Sequence, residues 1–301
     1  GIEEALKKDF ERIELFQRLA SILKKKDSHA LQEMKEQLLL ECDYLREADN
    51  QEWFRNYFKG HPDIGVPKVY FELSRKRVLT QEFIEGQTFS NYLASTAISE
   101  RKNVAFALYD FFSHGFFLSG RLHADPHPGN FIFQKDRVYI VDYGRVVQAT
   151  LSDTHNFRDM FLATVLRDKK AGRKAFEKFE VVKAWLRFDF DNFWDLNLKL
   201  YKHYFVDGGG TLTTQIAREY HELIRKFPQQ NLIQSKLAFL WSNLTHIALW
   251  SVLGELHAQI DWAALTFEKT AHIRSDRLNQ SWNDQALETV APRRHCFIHF
   301  F

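Results

Sequence analysis

Two short segments constrain this chain more than any others: Arg121-Leu122-His123-Ala124-Asp125-Pro126-His127-Pro128-Gly129-Asn130 and Val141-Asp142-Tyr143-Gly144. Pro126 and Pro128 each fix a backbone φ and lack an N–H. With Gly129 they predict a rigid, non-helical loop that aims Asp125 and Asn130 from one stretch. The apolar runs Phe131-Ile132-Phe133 and Val138-Tyr139-Ile140-Val141 predict a short hairpin turning around Gln134 to Arg137. Such a hairpin brings the residue before its first strand level with the residue after its second. Asn130 and Asp142, twelve positions apart, are therefore expected at adjacent strand ends, where they can share a metal ion.

An Asp, four residues, an Asn, and later an Asp before an aromatic residue and a Gly is the H-x-D-x-x-x-x-N and D-F-G spacing of phosphoryl-transfer enzymes of the protein-kinase type. The chemistry explains the spacing. Asp125 has to reach the attacking oxygen. Asn130 and Asp142 have to reach a magnesium ion that neutralises a triphosphate. A zinc cluster around His123, Asp125 and His127 would need further ligands, and none is suitably spaced. His123 is expected to be structural, hydrogen-bonded to backbone near Asp142. For His127 two roles stay open, stabilising the loop or facing a substrate. No nucleophile elbow of the acyl-transfer kind is present.

Upstream, helical spacing runs from Gly1 to Lys26. A second helix is expected from about His29 to Phe58, capped by Asp27 or Ser28, with Leu31, Met34, Leu38, Leu45 and Ala48 as its apolar stripe. Glu41 falls inside that stripe, and Asp43 and Glu47 share a neighbouring face. A carboxylate on an apolar face needs a partner, because an unpaired buried charge is expensive. Gly60-His61-Pro62 ends the helix. Residues 66–71 and 77–84 read as the strands of another hairpin, turning at Ser74-Arg75-Lys76, and Glu85-Gly86-Gln87 then leaves the sheet.

Helices follow at Ser90 to Ala97 and Glu100 to Ser119, the latter ended by Gly120. Beyond Ser152 the pattern is helical, near 152–168, 170–179, 189–205, 211–226, 231–253 and 261–279. Asp207-Gly208-Gly209-Gly210 is read as a connection rather than a phosphate cradle, since no strand precedes it and no Lys-Ser/Thr follows. The tail after Trp282 has no clear periodicity.

Composition excludes some classes. A net charge of +2 is too small to argue for nucleic acid. Two cysteines make no disulfide framework and suit a reducing compartment. The apolar stretch Leu232 to Leu253 is broken by Gln234, Lys236, Asn243 and His246, so it is read as a buried helix rather than a membrane span. No signal peptide is read at the N-terminus. The 28 Phe and 7 Trp are expected mostly in the core; a surplus at the surface would point to a lipid or partner face.

The strings Glu41-Cys42-Asp43-Tyr44-Leu45-Arg46-Glu47-Ala48, Thr80-Gln81-Glu82-Phe83-Ile84-Glu85-Gly86, His123-Ala124-Asp125-Pro126-His127-Pro128-Gly129-Asn130 and Val141-Asp142-Tyr143-Gly144 resemble the UbiB (ADCK-type) atypical kinase family. The resemblance implies an α+β, protein-kinase-like two-lobe fold. Residues 1–86 would be a partial N-lobe with its hinge near 82–87, and residues 87–301 a large, mostly helical C-lobe. It makes Asp125 the catalytic-loop Asp, Asn130 and Asp142 the magnesium ligands, and Glu47 the helical partner of an ATP-binding lysine. Glu82, Phe83 and Ile84 become the hinge that meets the adenine. Glu41 and Asp43 become the family's Glu-x-Asp pair, which belongs with an inhibitory N-terminal extension.

It further implies ATP and Mg2+ as cofactors, and atypical kinase or ATPase activity supporting ubiquinone or other prenyl-lipid metabolism. The partners implied are a nucleotide, a prenyl-lipid or quinone precursor and quinone-biosynthesis proteins. The location implied is a peripheral position on the cytoplasmic side of a membrane or the cytoplasm, or the mitochondrial matrix or a plastid in a eukaryote. The family's Lys-x-Gly-Gln extension, Ala-rich loop and strand lysine should precede Gly1, so this stretch is expected to begin inside the N-lobe and to bind ATP incompletely alone. Two other readings remain open at this point: a small-molecule kinase of the aminoglycoside or choline type, and a catalytically inactive lipid-binding scaffold.

Overall fold

The computed structural model describes residues 40, 42–135, 137–202, 216–229, 232–233, 237–262 and 264–265. In chain order its main elements are α1 (Tyr44–Tyr57), β1 (Ile64–Gly65), a 3-10 turn (Phe71–Leu73), β2 (Gln87–Thr88), α2 (Phe89–Ser95), α3 (Lys102–Ser119), β3 (Arg121–His123), a second 3-10 turn (Pro128–Asn130), β4 (Phe131–Gln134), β5 (Arg137–Ile140), β6 (Val146–Gln148), α4 (Leu151–Val165), α5 (Lys169–Lys178), α6 (Phe190–Leu200), α7 (Ile216–Lys226) and α8 (Leu237–Leu256). They group into two compact units. One holds the described residues up to Thr88 together with Gly129–Val146, the other Phe89–Pro128 and the described residues from Val147 onward.

In the first unit the hairpin β4–β5 forms as its two short apolar runs predict, with Phe131 opposite Ile140 and Gln134 opposite Arg137. It is the centre of a four-stranded sheet of order β1-β5-β4-β2. β1 adds parallel to β5, and β2 antiparallel to β4. Arg137 ties the β1 end down by donating to the carbonyls of Ile64 at 2.8 Å and His61 at 3.2 Å.

The other expected hairpin differs from its reading. Residues 66–84 do run antiparallel, but pair only at isolated bridges, Val69 with Gln81 and Arg75 with Val78. The 3-10 turn at Phe71–Leu73 interrupts them. Ser74 accounts for this: its hydroxyl donates to the Tyr70 carbonyl at 2.9 Å and accepts from the Thr80 N–H at 3.0 Å. A serine side chain here takes the place of ladder bonds.

The expected helix from His29 to Phe58 is also corrected in part. Asp43 is extended (φ −104°, ψ 94°) and caps α1, which starts at Tyr44. Its carboxylate accepts the Leu45 N–H at 3.2 Å, the local bond that makes Asp a good helix starter and a poor interior residue. Of the predicted stripe's described residues Ala48 is buried but Leu45 is exposed, and the buried face is completed by Glu47, Gln51 and Phe54. Residues 1–39, including Leu31, Met34 and Leu38, lie outside the described residues, as do Glu41, residues 207–210 and the tail.

The second unit is helical apart from the small sheet of β3 and β6. Three of its helices start where a side chain caps them: Thr150 for α4, Asp168 for α5 and Asp189 for α6 each accept an N–H of the first turn. α6 stops at Leu200, short of the expected 205. Gly120 ends α3 with φ 72°, a left-handed conformation that favours glycine.

The phenylalanines fill the core between these helices. Rings of Phe116 and Phe157 lie 5.3 Å apart, Phe176 and Phe193 5.0 Å, and Phe188 and Phe193 5.3 Å. The first two are edge-to-face and the third tilted, and such ring pairs add to the burial itself. α8 buries Ile247, Leu249, Trp250, Val252 and Leu253 within this unit. Among the described residues no helix is long and apolar enough to cross a membrane.

Candidate functional site

Asn130 closes the 3-10 turn that leads into β4, and Asp142 follows β5 by two residues. Because Phe131 faces Ile140, the Val141 N–H donates to the Asn130 carbonyl at 2.9 Å. The hairpin therefore brings Asn130 and Asp142 to the same end of the sheet. Asn130 is buried and Asp142 exposed. Asp142 adopts φ 70°, in the left-handed region that Asp tolerates better than most residues. Its Oδ1 accepts the Gly144 N–H at 3.1 Å.

Tyr143 is the anchor of this turn. It is fully buried, its ring lies 5.4 Å from that of Phe54, and its hydroxyl donates to the Ile140 carbonyl at 3.1 Å. Burial pushes its phenol well above the ordinary range, so it stays neutral.

α1 grips the backbone of Tyr143 from both sides. Glu47 Oε1 accepts its N–H at 3.2 Å, and Asn50 Nδ2 donates to its carbonyl at 3.1 Å. Residues three apart on a helix share a face, so one turn of α1 supplies both groups. Arg46 Nη2 adds a bond to the Val146 carbonyl at 3.3 Å. Gln51, also fully buried, donates to the Pro67 carbonyl at 2.9 Å and to Gln81 at 2.7 Å. These bonds explain how α1 can turn a polar face inward. Asp43 serves as the cap of α1, and its expected companion Glu41 lies outside the described residues.

Asp125 belongs to the second unit, whereas Asn130 and Asp142 belong to the first. It is half-buried, and its N–H donates to His123 Nδ1 at 3.4 Å. His123 is buried at the end of β3 with its ring edge-on to Phe111 and Phe112, at 5.6 and 5.3 Å. That is a structural environment. His127 is exposed. Among the described residues no group of three or more His, Cys, Asp or Glu is placed to hold a metal ion, which leaves the zinc alternative without support there.

In the stretch expected to meet the adenine, Glu82 makes two contacts with Lys68: its N–H donates to the Lys68 carbonyl at 2.8 Å, and its Oε2 accepts the Lys68 N–H at 3.0 Å. Phe83 is 90% exposed and Ile84 is buried. Gln134 donates to the Glu85 carbonyl at 3.1 Å. Gly86 then passes so close to β4 that a Cβ would lie 2.7 Å from the Phe133 carbonyl oxygen. Sequence reasoning singled out Glu47 on α1 but not its neighbours Arg46, Asn50 and Gln51, which also bond inward. The signal was there in principle, since Asn50 stands one helical turn after Glu47.

Residues 1–176, more than half of the chain, match the ABC1 atypical kinase-like domain, and the chain belongs to that family. It is 32% identical over 152 residues to AarF domain-containing protein kinase 1 of Gallus gallus, covering 48% of this chain and 29% of that protein. Its identity to a chloroplastic aarF domain-containing protein kinase of Arabidopsis thaliana is 35% over 144 residues, covering 46% and 19%. To AarF domain-containing kinase 1 of Drosophila melanogaster it is 29% over 158 residues, covering 50% and 30%. The chain thus spans about a third or less of the length of these relatives. A solved structure of a Mycobacterium tuberculosis protein in complex with erythromycin superposes with a TM-score of 0.68 at 21% identity, covering 88% of this chain and 68% of that one. The fold is kinase-like, with small sheets and mostly helical content, and the UbiB-type resemblance is met.

Proposed function

We propose that the protein containing this chain binds ATP with Mg2+ and hydrolyses it or transfers its terminal phosphoryl group, as an atypical kinase of the UbiB type. The observation that carries this reading is the arrival of Asn130 and Asp142 at one end of the β4–β5 hairpin. An amide oxygen and a carboxylate suit a small, hard cation, and Mg2+ is commonly held by one or two carboxylates plus phosphate oxygens. Asn130 and Asp142 would hold it. When bound, Mg2+ supplies charge neutralisation at the phosphates.

The remaining roles fall to this chain's own groups. Asp125 orients the acceptor oxygen and takes its proton. Glu47 pairs with the lysine that holds the phosphates, while its Oε1 keeps the Tyr143 N–H. The backbone of Glu82, Phe83 and Ile84 meets the adenine. Glu41 and Asp43 form the pair tied to an inhibitory extension. The acceptor or regulator belongs to prenyl-lipid and ubiquinone metabolism, reached peripherally at a membrane. In a eukaryotic source the place is the mitochondrial matrix or a plastid, and the chloroplastic relative supports the plastid.

The test is an ATP and ADP titration of the full-length protein with and without Mg2+, followed by turnover. Binding that requires Mg2+, with ATP consumed, is expected. No nucleotide binding in either condition overturns the reading in favour of a scaffold. Efficient phosphorylation of a soluble amine or sugar replaces it with the small-molecule kinase.

A further inference from the structure

We infer that Asn50 is a positioning residue that sets the carboxylate of Asp142 through a single peptide group. The inference rests on the magnesium reading above. Asn50 Nδ2 donates to the Tyr143 carbonyl at 3.1 Å, and the Gly144 N–H donates to Asp142 Oδ1 at 3.1 Å. That carbonyl and that N–H are the two ends of one peptide plane, the bond between Tyr143 and Gly144. A trans peptide is rigid, and its C=O and N–H point in opposite directions. Fixing one end therefore fixes the direction of the other.

Glu47 does the same for the preceding plane by accepting the Tyr143 N–H at 3.2 Å. The two planes flanking the Tyr143 Cα are thus held by one turn of α1, and the buried Tyr143 ring prevents the turn from sliding. Asp142 needs this support. It is exposed and sits at φ 70°, where a non-glycine residue has little intrinsic preference to stay. With Oδ1 bonded to the Gly144 N–H, the plane of the carboxylate is set before a cation arrives. Partners of metal ligands commonly act this way, holding the ligand's orientation without touching the ion.

The test uses Asn50→Ala and the nearly isosteric Asn50→Asp in the full-length protein, with Mn2+ as probe in the presence of saturating ADP. Mn2+ affinity is read by electron paramagnetic resonance and exchange of the Gly144 amide by hydrogen–deuterium exchange. Both variants are expected to weaken Mn2+ binding by about 10- to 100-fold and to speed Gly144 exchange. Asp49→Asn, on an exposed position of α1, should change none of these.

Unchanged Mn2+ affinity in Asn50→Asp, while Asp142→Asn loses it, overturns the inference and leaves the magnesium reading standing. If Asp142→Asn also binds Mn2+ normally, both fall. If neither Asn50 variant folds, the wild-type Gly144 amide decides: protection supports the inference, and exchange at the rate of an open chain overturns it.

Discussion

The Glu47 carboxylate accepts the backbone N–H of Tyr143 at 3.2 Å, linking residues 96 positions apart inside one compact unit. Glu47 is buried, and a buried carboxylate is tolerated only where hydrogen bonds replace its water. The bond fastens α1 to the turn that carries Asp142, so the helix and the end of the hairpin are held as one piece.

Removing that acceptor should be costly. Glu47→Ala leaves the Tyr143 N–H without this bond in a buried place, worth about 1–3 kcal/mol. Glu47→Gln keeps an oxygen at the same reach and should lose less than half as much. Urea unfolding of the two variants checks the order; equal losses would mean the bond contributes little.

Gly86→Ala should destabilise the sheet edge. The added Cβ would meet the Phe133 carbonyl oxygen and Ile132 Cγ2, both at 2.7 Å, and a backbone oxygen in a paired strand cannot step aside cheaply. Overpacking of this kind costs about 1–3 kcal/mol. A lowered melting temperature is the expected outcome, and an unchanged one would show that β2 shifts freely.

His246 gives the protein an acid-sensitive component. Burial lowers its pKa below the ordinary 6.5, against a smaller opposite effect from the Ser242 carbonyl, with which Nδ1 pairs at 2.6 Å. Above about pH 6.5 the ring is neutral both folded and unfolded, and titration contributes nothing. As pH falls below that value the unfolded chain takes up a proton that the folded ring resists, so stability is lost. His246→Phe, placed among Phe117, Phe157 and Trp250, should lose less stability than wild type between about pH 8 and pH 5. Thermal unfolding at the two pH values measures it. Parallel losses in both proteins would assign the sensitivity elsewhere.

Much of this was legible in the sequence because short-range patterns dictated it. The apolar runs Phe131–Phe133 and Val138–Val141 around a polar turn were enough to predict the hairpin, and the hairpin was enough to align Asn130 with Asp142. Gly120 as the end of α3 was similarly plain. What escaped depended on partners distant in sequence. Gln51 looks like a solvent residue until the Pro67 carbonyl is set beside it, and no local signal pointed Glu47 to the Tyr143 N–H. The break before α1 was missed because Asp43 was read for its charge rather than as a cap. The hairpin at 66–84 was overread because Ser74, taken for a turn residue, satisfies backbone groups of both flanking segments. Nothing in residues 64–65 or 87–88 revealed that they flank the central hairpin, since two-residue strands carry no period.

The central claim is that Asn130 and Asp142 hold a divalent cation for a nucleotide. Its most direct test is Mg2+-dependent binding of ATP to the full-length protein, by calorimetry, in wild type and in Asp142→Asn. Wild type should bind ATP tightly only with Mg2+, and Asp142→Asn should lose that dependence, with turnover down by about 100- to 1,000-fold, the loss typical of removing one electrostatic stabiliser. Equal Mg2+-dependent binding and equal turnover in the two proteins would contradict the account.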